Sequence, residues 1–440
     1  MKLVIFTPAI KTSAIGRMAS LVTRALAKLG HSVAVVRTED MAHLQAEAHD
    51  FGTELVSWTD SGRVESLVRS ADTLAYQVGD NYAFHRGCLE WLPRAPGVVS
   101  LHDFFLGHLF CGWAQNNKTE ALATLRVWYG DEIAQLFFNF SGSDEFIEAT
   151  KDTAPMTEWI CSMAYAVVTH SSWGIQRVLD SCAGPVRIVP LAYNAPSAEL
   201  KREAKRERPT AEFNVLTIGH VNPNKRVESV IQAIGNSAIL RKCTTYQLVG
   251  QIVPPMAERL SALAESLNVK LLISGEVDSS TLLQAISHAD TICCLRWPSL
   301  EAASASAIEA MLHGKPVIVT DTGFYAELPD DCVRKIQAHN EIEDLQKTLE
   351  WLCLNENDRR ALGAVAERWA SMTFSADNYA TQLVNASLAA QQAAPILKAT
   401  QSLAGMLWQW EASISLMTLS DTTDPLRLFN SYQESASIIS

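Results

Sequence analysis

The sequence predicts an α/β protein made of two doubly wound domains and a C-terminal extension. Short apolar runs alternate with stretches of helical apolar spacing, as expected for a parallel sheet covered by helices on both faces. This alternation stops at a highly charged segment and then begins again, which indicates a second sheet. The length of 440 residues also exceeds what one hydrophobic core usually organises.

The first domain is predicted over residues 1–198. Its first helix is expected over Met18–Leu29 and to end at Gly30, which suits a left-handed cap. The predicted strands of this domain are Leu3–Thr7, Ser32–Val36, Thr73–Val78, Val98–Leu101, Ala166–Thr169 and Arg187–Val189.

Residues 199–211 are predicted as a linker, and residues 212–372 as the second domain. The predicted strands of the second domain are Phe213–Gly219, Tyr246–Val249, Lys270–Ser274, Thr291–Leu295 and Val317–Thr320. Ligands of doubly wound sheets bind beyond the carboxyl ends of the strands. We therefore expect two Rossmann-like domains that face a central cleft holding the ligand.

Composition excludes several classes of protein. The net charge of −12 argues against nucleic acid as a partner, because phosphate binding requires a basic face. No apolar run is long enough to cross a bilayer, and the first residues lack the architecture of a signal peptide. The nine cysteines are scattered without metal-like spacing, which favours reduced thiols in a cytoplasmic protein.

Two segments carry open alternatives. The basic cluster 201–208 is interpreted as a solvated linker, or else as a contact with the anionic inner face of a membrane or with a lipid-phosphate acceptor. The aromatic segment 405–410 is interpreted as packing back onto the body, or else as a docking segment for a protein partner.

The most informative stretch is 295–319, which reads as strand, loop, helix, glycine cap, proline and strand. Ser306 and Glu309 have capping-box spacing, which predicts a helix start near Ser306. The small residues before it, among them Ser304, allow backbone N–H groups to approach a ligand closely. Since a helix N-terminus favours negative charge, a diphosphate suits this position.

Glu301 and Glu309 bracket seven residues, and the segment after Glu309 continues through a glycine and a proline into a strand. This pattern resembles the E-x7-E motif of family 4 glycosyltransferases, which are retaining enzymes of the GT-B fold. The resemblance implies that Glu301 contacts hydroxyls of the donor sugar and that Glu309 binds the nucleotide ribose. Each glutamate alone also has a plain structural interpretation: Glu309 caps its own helix and Glu301 is an exposed loop carboxylate.

A second block runs from Gly219 to Arg226, between the first strand of the second domain and a helix starting near Val227. Lys225 and Arg226 are adjacent cations at a strand–loop–helix junction, which suits a diphosphate. The resemblance implies that Lys225 grips the diphosphate. His220 stands where the family usually has arginine, so Arg226 is expected to compensate or His220 to use a hydrogen bond.

A third block follows the strand Val98–Leu101. His102 and Asp103 resemble the His-Asp pair that the family keeps at this strand end, which implies that His102 lies at the donor sugar. The plain alternative for His102 is a satisfied histidine at a strand end. Asp80 and His85, near the preceding strand, are candidates for contact with the sugar or the acceptor.

The loop before the first helix contains Gly16 and Arg17 but no G-x-G-x-x-G, so a dinucleotide oxidoreductase is disfavoured. The resemblance implies that the Gly16 loop closes over the donor, with Arg17 nearby. Arg296 is a further candidate for sugar or acceptor contact. No D-x-D triplet is present, and the cations at the second block make a divalent ion unnecessary. We expect no cofactor and metal-independent activity.

The resemblance implies a retaining hexosyltransferase that uses a GDP- or UDP-sugar and a hydroxyl of a glycan or lipid-linked glycan. The resemblance extends to glycosyltransferases of bacterial surface polysaccharides. It also implies a helix over 373–392 that returns to the first domain, followed by the extension 393–440. The alternatives are a non-catalytic nucleotide-sugar-binding subunit that supports a partner glycosyltransferase, and a GT-B epimerase or phosphorylase.

Overall fold

The structure is a computed structural model that describes residues 1–196 and 212–409. The predicted linker 199–211, its basic cluster 201–208 and the tail from residue 410 onward lie outside the described residues. The chain divides into two compact units. The first unit comprises Met1–Ala192, the short segment Leu300–Ala302 and the helix that begins at Ala376, and the second comprises Tyr193–Ser299 and Ala303–Ser375.

The first unit is built on a parallel sheet of seven strands in the order β3-β2-β1-β4-β5-β6-β7. Its strands are β1 (Lys2–Thr7), β2 (Ser32–Arg37), β3 (Glu54–Ser57), β4 (Thr73–Val78), β5 (Val98–Leu101), β6 (Ala166–Thr169) and β7 (Val186–Ile188). Its helices up to β7 are α1 (Ala14–Lys28), α2 (Ser61–Ser70), α3 (Tyr82–Trp91), α4 (Gly107–Ala114), α5 (Lys118–Leu136), α6 (Ser143–Thr150), α7 (Thr157–Cys161) and α8 (Ile175–Ser181). The central strands are buried on both faces, in agreement with their continuous apolar runs.

The second unit is built on a parallel sheet of six strands in the order β10-β9-β8-β11-β12-β13. Its strands are β8 (Phe213–Ile218), β9 (Thr244–Val249), β10 (Lys270–Ile273), β11 (Thr291–Cys294), β12 (Val317–Thr320) and β13 (Arg334–Ile336). Its helices are α9 (Val227–Asn236), α10 (Leu240–Cys243), α11 (Pro254–Ser266), α12 (Ser279–His288), α13 (Ala305–Leu312), α14 (Gly323–Ala326), α15 (Glu341–Leu354) and α16 (Glu356–Thr373). A last helix, α17 (Ala376–Gln409), belongs to the first unit.

Each unit has its own apolar core. In the first, Phe6 of β1 stacks on Tyr76 of β4 with ring centroids 4.5 Å apart. In the second, Val230 and Ile231 of α9 and Leu345 of α15 belong to one buried cluster with β8 and β9. In both sheets the strand order reverses beside the first strand, so the carboxyl ends of β1 with β4 and of β8 with β11 are the expected places for a ligand.

Some predicted elements were wrong in detail. Helix α1 begins at Ala14, not Met18, because the Ser13 hydroxyl accepts the backbone N–H of Gly16 and caps the helix there. The strands β3 and β13 were not predicted; both lie at a sheet edge and carry polar residues. Among the described residues no helix is long and apolar enough to span a membrane.

Candidate functional site

The carboxyl ends of β4 and β5 bring two polar loops of the first unit together. The strands are parallel neighbours with Val78 paired to Leu101, so the residues after them emerge side by side. The backbone N–H of His102 donates to Val78 O at 2.9 Å, which extends the pairing by one residue. Asp80 and Asp103 therefore meet at the edge of the sheet where doubly wound folds bind ligands.

Asp103 is fixed against the loop after β4. Its Oδ2 accepts the backbone N–H of Asp80 at 2.8 Å. A Cβ at Gly79 would lie 2.9 Å from the same oxygen and 2.8 Å from Ile15 Cδ1, so glycine allows this close approach without displacing either side chain. Burial raises the pKa of the Asp103 carboxyl to about 7, and repulsion from Asp80 adds to the effect. Asp103 is thus a carboxyl group able to hold a proton near neutral pH.

Asp80 is held in turn by α4. Its Oδ1 accepts the backbone N–H of Leu109 at 2.7 Å, and its Oδ2 lies 2.6 Å from His108 Nδ1. Burial raises the pKa of Asp80, although the hydrogen bond from His108 opposes this, and the same hydrogen bond raises the pKa of His108. His108 was missed by the sequence reasoning; the available signal was a polar residue inside an apolar run directly after the His102–Asp103 pair.

Glu301 belongs to the same unit. Its neighbour Leu300 accepts the backbone N–H groups of Phe104 and Phe105 at 2.9 and 3.1 Å, and Ala302 donates to His102 O at 2.9 Å. Between them, Glu301 forms an isolated antiparallel bridge with Asp103. The negative charge of Glu301 contributes to the raised pKa of Asp103. The structure therefore brings together His102, Asp103, Asp80 and Glu301.

His85 and His102 are both buried in this group. Burial lowers the pKa of His85 to about 4 and that of His102 well below its usual range; the nearby His170 lowers the pKa of His102 further. A Cβ at Gly79 would lie 3.1 Å from His85 Nε2, so His85 packs beneath the Asp80 loop. Both histidines are neutral at pH 7, which suits hydrogen bonding and not charge pairing.

Gly16 and Arg17 lie in the first turn of α1. The reason for glycine at position 16 is local, because an added Cβ would lie 2.5 Å from Pro8 O and 3.2 Å from His49 Cδ2. The backbone N–H of Gly16 is already used by the Ser13 cap, and that of Arg17 donates to Ser13 O. Their contact with a donor remains a prediction.

In the second unit, Lys225 lies at the carboxyl end of β8. Its side chain is buried and its Nζ donates to Ile218 O at 2.5 Å. Gly219 has a φ of +86°, and a Cβ there would lie 2.8 Å from Lys225 Nζ. A buried ammonium thus lies against the turn that leaves β8. His220, one residue further, is exposed.

Arg226 is oriented by α15. Its Nε donates to Glu341 Oε1 at 2.9 Å, and the Ser229 hydroxyl donates to the same carboxylate oxygen. Glu341 is buried, while the side chain of Arg226 is 40% exposed. The guanidinium is thus bound to Glu341 through Nε. Glu341 was not predicted, because it lies 115 residues away in sequence.

The loop before α13 corrects one prediction. The helix is capped by Ser304, whose Oγ accepts the backbone N–H of Ala307 at 3.3 Å, and not by Ser306. Glu309 therefore lies inside the helix, and its interpretation as the capping-box glutamate of Ser306 was wrong. Arg296 is buried, and its guanidinium donates to Leu295 O at 2.8 Å. Within the described ranges, no group of three or more His, Cys, Asp or Glu side chains is arranged to hold a metal ion.

Comparison with known proteins agrees with this architecture. Residues 199–369 match the sequence family described as glycosyl transferases group 1. A search of curated protein sequences finds no match.

Several solved structures share the fold over most of the chain. Sucrose-phosphate synthase from Thermosynechococcus elongatus has a TM-score of 0.62 at 15% identity, covering 88% of this chain and 98% of that chain. HepE from Anabaena in complex with UDP and glucose has a TM-score of 0.58 at 15% identity, with coverage of 88% and 98%. WaaG, a glycosyltransferase involved in lipopolysaccharide biosynthesis, has a TM-score of 0.57 at 16% identity, with coverage of 88% and 99%. Identities this low show the fold alone, and they confirm the predicted GT-B fold of two Rossmann-like domains.

Proposed function

We propose that the protein transfers a hexose-type sugar, with retention, from a nucleotide-diphosphate donor, because residues 199–369 match the family of glycosyl transferases group 1 and the chain has the GT-B fold. The donor is a UDP- or GDP-sugar and the acceptor a hydroxyl of a glycan or lipid-linked glycan, as in surface polysaccharide synthesis. The observation that carries the proposal is the buried Lys225 ammonium at the carboxyl end of β8. HepE, one of the similar structures, was solved with UDP and glucose.

The second unit binds the nucleotide diphosphate in this proposal. Lys225 is preorganised by Ile218 O, so little reorganisation is needed to meet the charge that develops on the leaving diphosphate. The N-terminus of α13, capped by Ser304, adds backbone N–H groups and a positive dipole end. Glu309 binds the ribose hydroxyls, and Arg226 adds a second cation whose direction Glu341 sets.

The first unit acts on the sugar. Glu301 binds sugar hydroxyls, and the neutral His102 supplies a hydrogen bond without competing for the diphosphate. As the bond to the diphosphate breaks with oxocarbenium-like character, the acceptor hydroxyl attacks from the same face and its proton passes to the leaving diphosphate. Asp103, Asp80 and His85 are the further candidates for this role in the first unit, with Gly16 and Arg17 of α1, and Arg296 is a candidate in the second unit.

The proposal is tested with the purified chain and a panel of nucleotide-diphosphate sugars. The true donor is expected to raise the unfolding temperature most. Turnover of that donor is then measured for wild type and for Glu301→Gln, with Glu343→Gln, an exposed carboxylate on α15, as the matched control. We expect Glu301→Gln to lower kcat by about 100-fold or more, since transition-state contacts are lost. Full activity of Glu301→Gln would show that Glu301 has no role in the reaction.

A second candidate function is a nucleotide-sugar-binding subunit without activity of its own. It is favoured by the exposed His220 at the usual arginine position and by the engagement of Arg226 with Glu341. Donor-dependent stabilisation without transfer or donor hydrolysis by the isolated chain would support it. Conversion of the donor into an epimeric nucleotide sugar would instead support an epimerase.

Metal independence belongs to the same proposal, because lysine and a helix N-terminus supply the charge that a divalent ion otherwise provides. A chelator is expected to leave the initial rate unchanged. Loss of turnover on chelation, with recovery on adding a divalent ion, would contradict it. We further propose a cytoplasmic location, at the inner face of the membrane when the acceptor is lipid-linked; the free state of every cysteine in the described residues supports the first part.

A further inference from the structure

A buried chain of polar groups leads from His102 into the first unit. His102 Nε2 lies 2.7 Å from Oε1 of Gln77 on β4. The hydroxyl of Tyr379, in the first turn of α17, lies 2.8 Å from Ser100 Oγ on β5. Ser100 Oγ lies 3.3 Å from Nε2 of His170, which follows β6. The four polar residues other than His102 are at most 3% exposed. We call Gln77, Tyr379, Ser100 and His170 the relay.

Gln77 connects the two halves of the relay. Its Nε2 is buried and has no hydrogen bond of ordinary geometry among the described residues. It is near enough to the Tyr379 hydroxyl for hydrogen bonding to lower the pKa of Tyr379, although burial dominates and raises that pKa to about 12. The amide of Gln77 thus spans the space between the His102 ring and the Tyr379 hydroxyl.

His170, at the end of the relay away from His102, determines which groups of the relay donate and which accept. His170 Nδ1 lies 2.9 Å from Val189 O, and a carbonyl oxygen only accepts, so Nδ1 carries the proton. Burial lowers the pKa of His170 to about 4, so the ring is neutral at pH 7 and its Nε2 accepts. Ser100 must therefore donate to His170, which leaves the Ser100 oxygen to accept from the Tyr379 hydroxyl.

The same logic continues to His102. Since the Tyr379 proton is directed to Ser100, the Tyr379 oxygen can only accept, and the nearby Gln77 Nε2 is a donor without a hydrogen-bond partner among the described residues. The Gln77 amide then presents its oxygen to His102, which must donate from Nε2. The remaining ring nitrogen, Nδ1, makes no hydrogen bond within the described part of the chain.

We propose that the relay from Val189 O to Gln77 locks His102 in the Nε2–H tautomer, so that its Nδ1 is a fixed hydrogen-bond acceptor for a substrate hydroxyl. Gln77 and Tyr379 are then positioning residues, and the C-terminal helix α17 contributes to the site through Tyr379. The identity of the hydroxyl rests on the proposed function, in which it belongs to the donor sugar; the tautomer does not.

Ring packing supports a fixed arrangement. The His102 and His170 rings lie 4.8 Å apart between centroids, and the His170 and Tyr379 rings 5.9 Å apart. Gln77, Ser100 and His170 stand on or directly after the neighbouring strands β4, β5 and β6, whose pairing fixes their spacing, and α17 adds Tyr379. A histidine held this way does not reorient when a hydroxyl arrives, which is the condition for effective preorganisation.

The tautomer is tested directly by NMR on protein labelled with ¹⁵N at histidine. The His102 ring, assigned by its loss in His102→Gln, is expected to show a protonated Nε2 and an unprotonated Nδ1 at pH 7. In Gln77→Met, which keeps the length but removes the acceptor, we expect a mixture of tautomers. A protonated Nδ1 in wild type, or an unchanged ring in Gln77→Met, would overturn the proposal, whether or not the protein transfers sugar.

Kinetics separate positioning from general stability. Tyr379→Phe removes the hydroxyl that orders the relay, and we expect kcat to fall about 10-fold with little change in donor KM, in the range typical of residues that orient a functional group. Tyr76→Phe is the matched control. Tyr76 lies on the same strand as Gln77 and is equally buried, and its hydroxyl donates to Ala95 O at 2.6 Å. Equal losses of kcat in both variants would refute the positioning role.

Gln77→Glu is a conservative variant that keeps the acceptor for the Nε2–H of His102. Its carboxylate accepts the Nε2–H of His102, so the tautomer is kept, but the new negative charge raises the pKa of His102. We expect activity near that of wild type at high pH and a loss as the pH falls and His102 takes up a proton on Nδ1. A flat pH profile for this variant would contradict the role of Nδ1 as the acceptor.

Discussion

The carboxylate of Asp103 accepts the backbone N–H of Asp80 at 2.8 Å, and its pKa is nevertheless raised to about 7, because burial outweighs the hydrogen bond. The ordinary value is 3.8, so between pH 4 and 7 the folded chain holds a proton that the unfolded chain has released. The contribution of the protonated Asp103 to the free energy of unfolding is therefore fully present at low pH and is lost as the pH rises through about 7.

Asp103→Asn tests this linkage, because asparagine keeps an acceptor for the Asp80 N–H but does not titrate. The free energy of unfolding of wild type minus that of the variant is expected to fall with rising pH, by at most about 1.4 kcal/mol per pH unit between pH 4 and 7. Denaturant unfolding at several pH values measures it. A difference that does not change with pH would show that Asp103 titrates normally.

Lys225 gives a prediction for donor binding. Its buried ammonium donates to Ile218 O beside the Gly219 turn, where we place the diphosphate. Lys225→Ala removes a charged donor that both binds the diphosphate and meets its developing charge, so we expect donor KM to rise about 10- to 100-fold and kcat to fall. Lys315→Ala is the matched control: Lys315 Nζ donates to the carbonyls of Ser287 and Ala289 in the same unit, but near the amino end of β12. Similar donor KM values for the two variants would show that the diphosphate does not bind at Lys225.

Two glycines in helices give opposite predictions for stability. At Gly16 of α1 a Cβ would lie 2.5 Å from Pro8 O, so Gly16→Ala is expected to cost about 1–3 kcal/mol of unfolding free energy. At Gly62 of α2 a Cβ would meet nothing within 4 Å, so Gly62→Ala is expected to add about 0.4–1 kcal/mol. Thermal or denaturant unfolding compares them. If Gly16→Ala were neutral, close packing would not explain this glycine.

The part of the fold that the sequence predicted is the part with a strong periodic signal. Buried strands such as Thr73–Val78 and Val98–Leu101 were predicted with their observed bounds, because continuous apolar runs mark strands covered on both faces. The edge strands Glu54–Ser57 and Arg334–Ile336 lack that signal. Ser304 and Ser306 both satisfy local capping rules, and only the path of the preceding loop selects Ser304.

The residues of the candidate site also fall into those that the sequence predicted and those that it did not. Residues directly after a buried strand, such as His102 and Asp103, are recognisable because polar groups at strand ends stand out from apolar runs. Gln77, Tyr379 and Glu341 are not recognisable, because their roles depend on partners far away in sequence. The Tyr379 hydroxyl, for example, meets Ser100 across 279 residues of chain. No local pattern encodes such a contact.

Cys243 and Cys353 give the last prediction. Their Sγ atoms lie 3.4 Å apart on different elements of the second unit, α10 and α15, and both residues are partly exposed. Hydrogen peroxide is expected to oxidise one thiol to a sulfenic acid with release of water, and the other thiol then condenses with it to a disulfide and a second water. Burial raises the pKa of Cys353, as does its contact with Cys243, so formation of the disulfide is expected to speed up as the pH rises.

Alkylation of remaining thiols followed by peptide mass mapping measures this bond. Cys111 is the internal control, since it is also partly exposed but lies on α4 of the first unit, away from α10 and α15. We expect the Cys243–Cys353 peptide pair to form while Cys111 stays alkylatable, and Cys353→Ser to leave Cys243 open to further oxidation. Equal protection of Cys111, or a bond between other cysteines, would contradict the arrangement of α10 and α15.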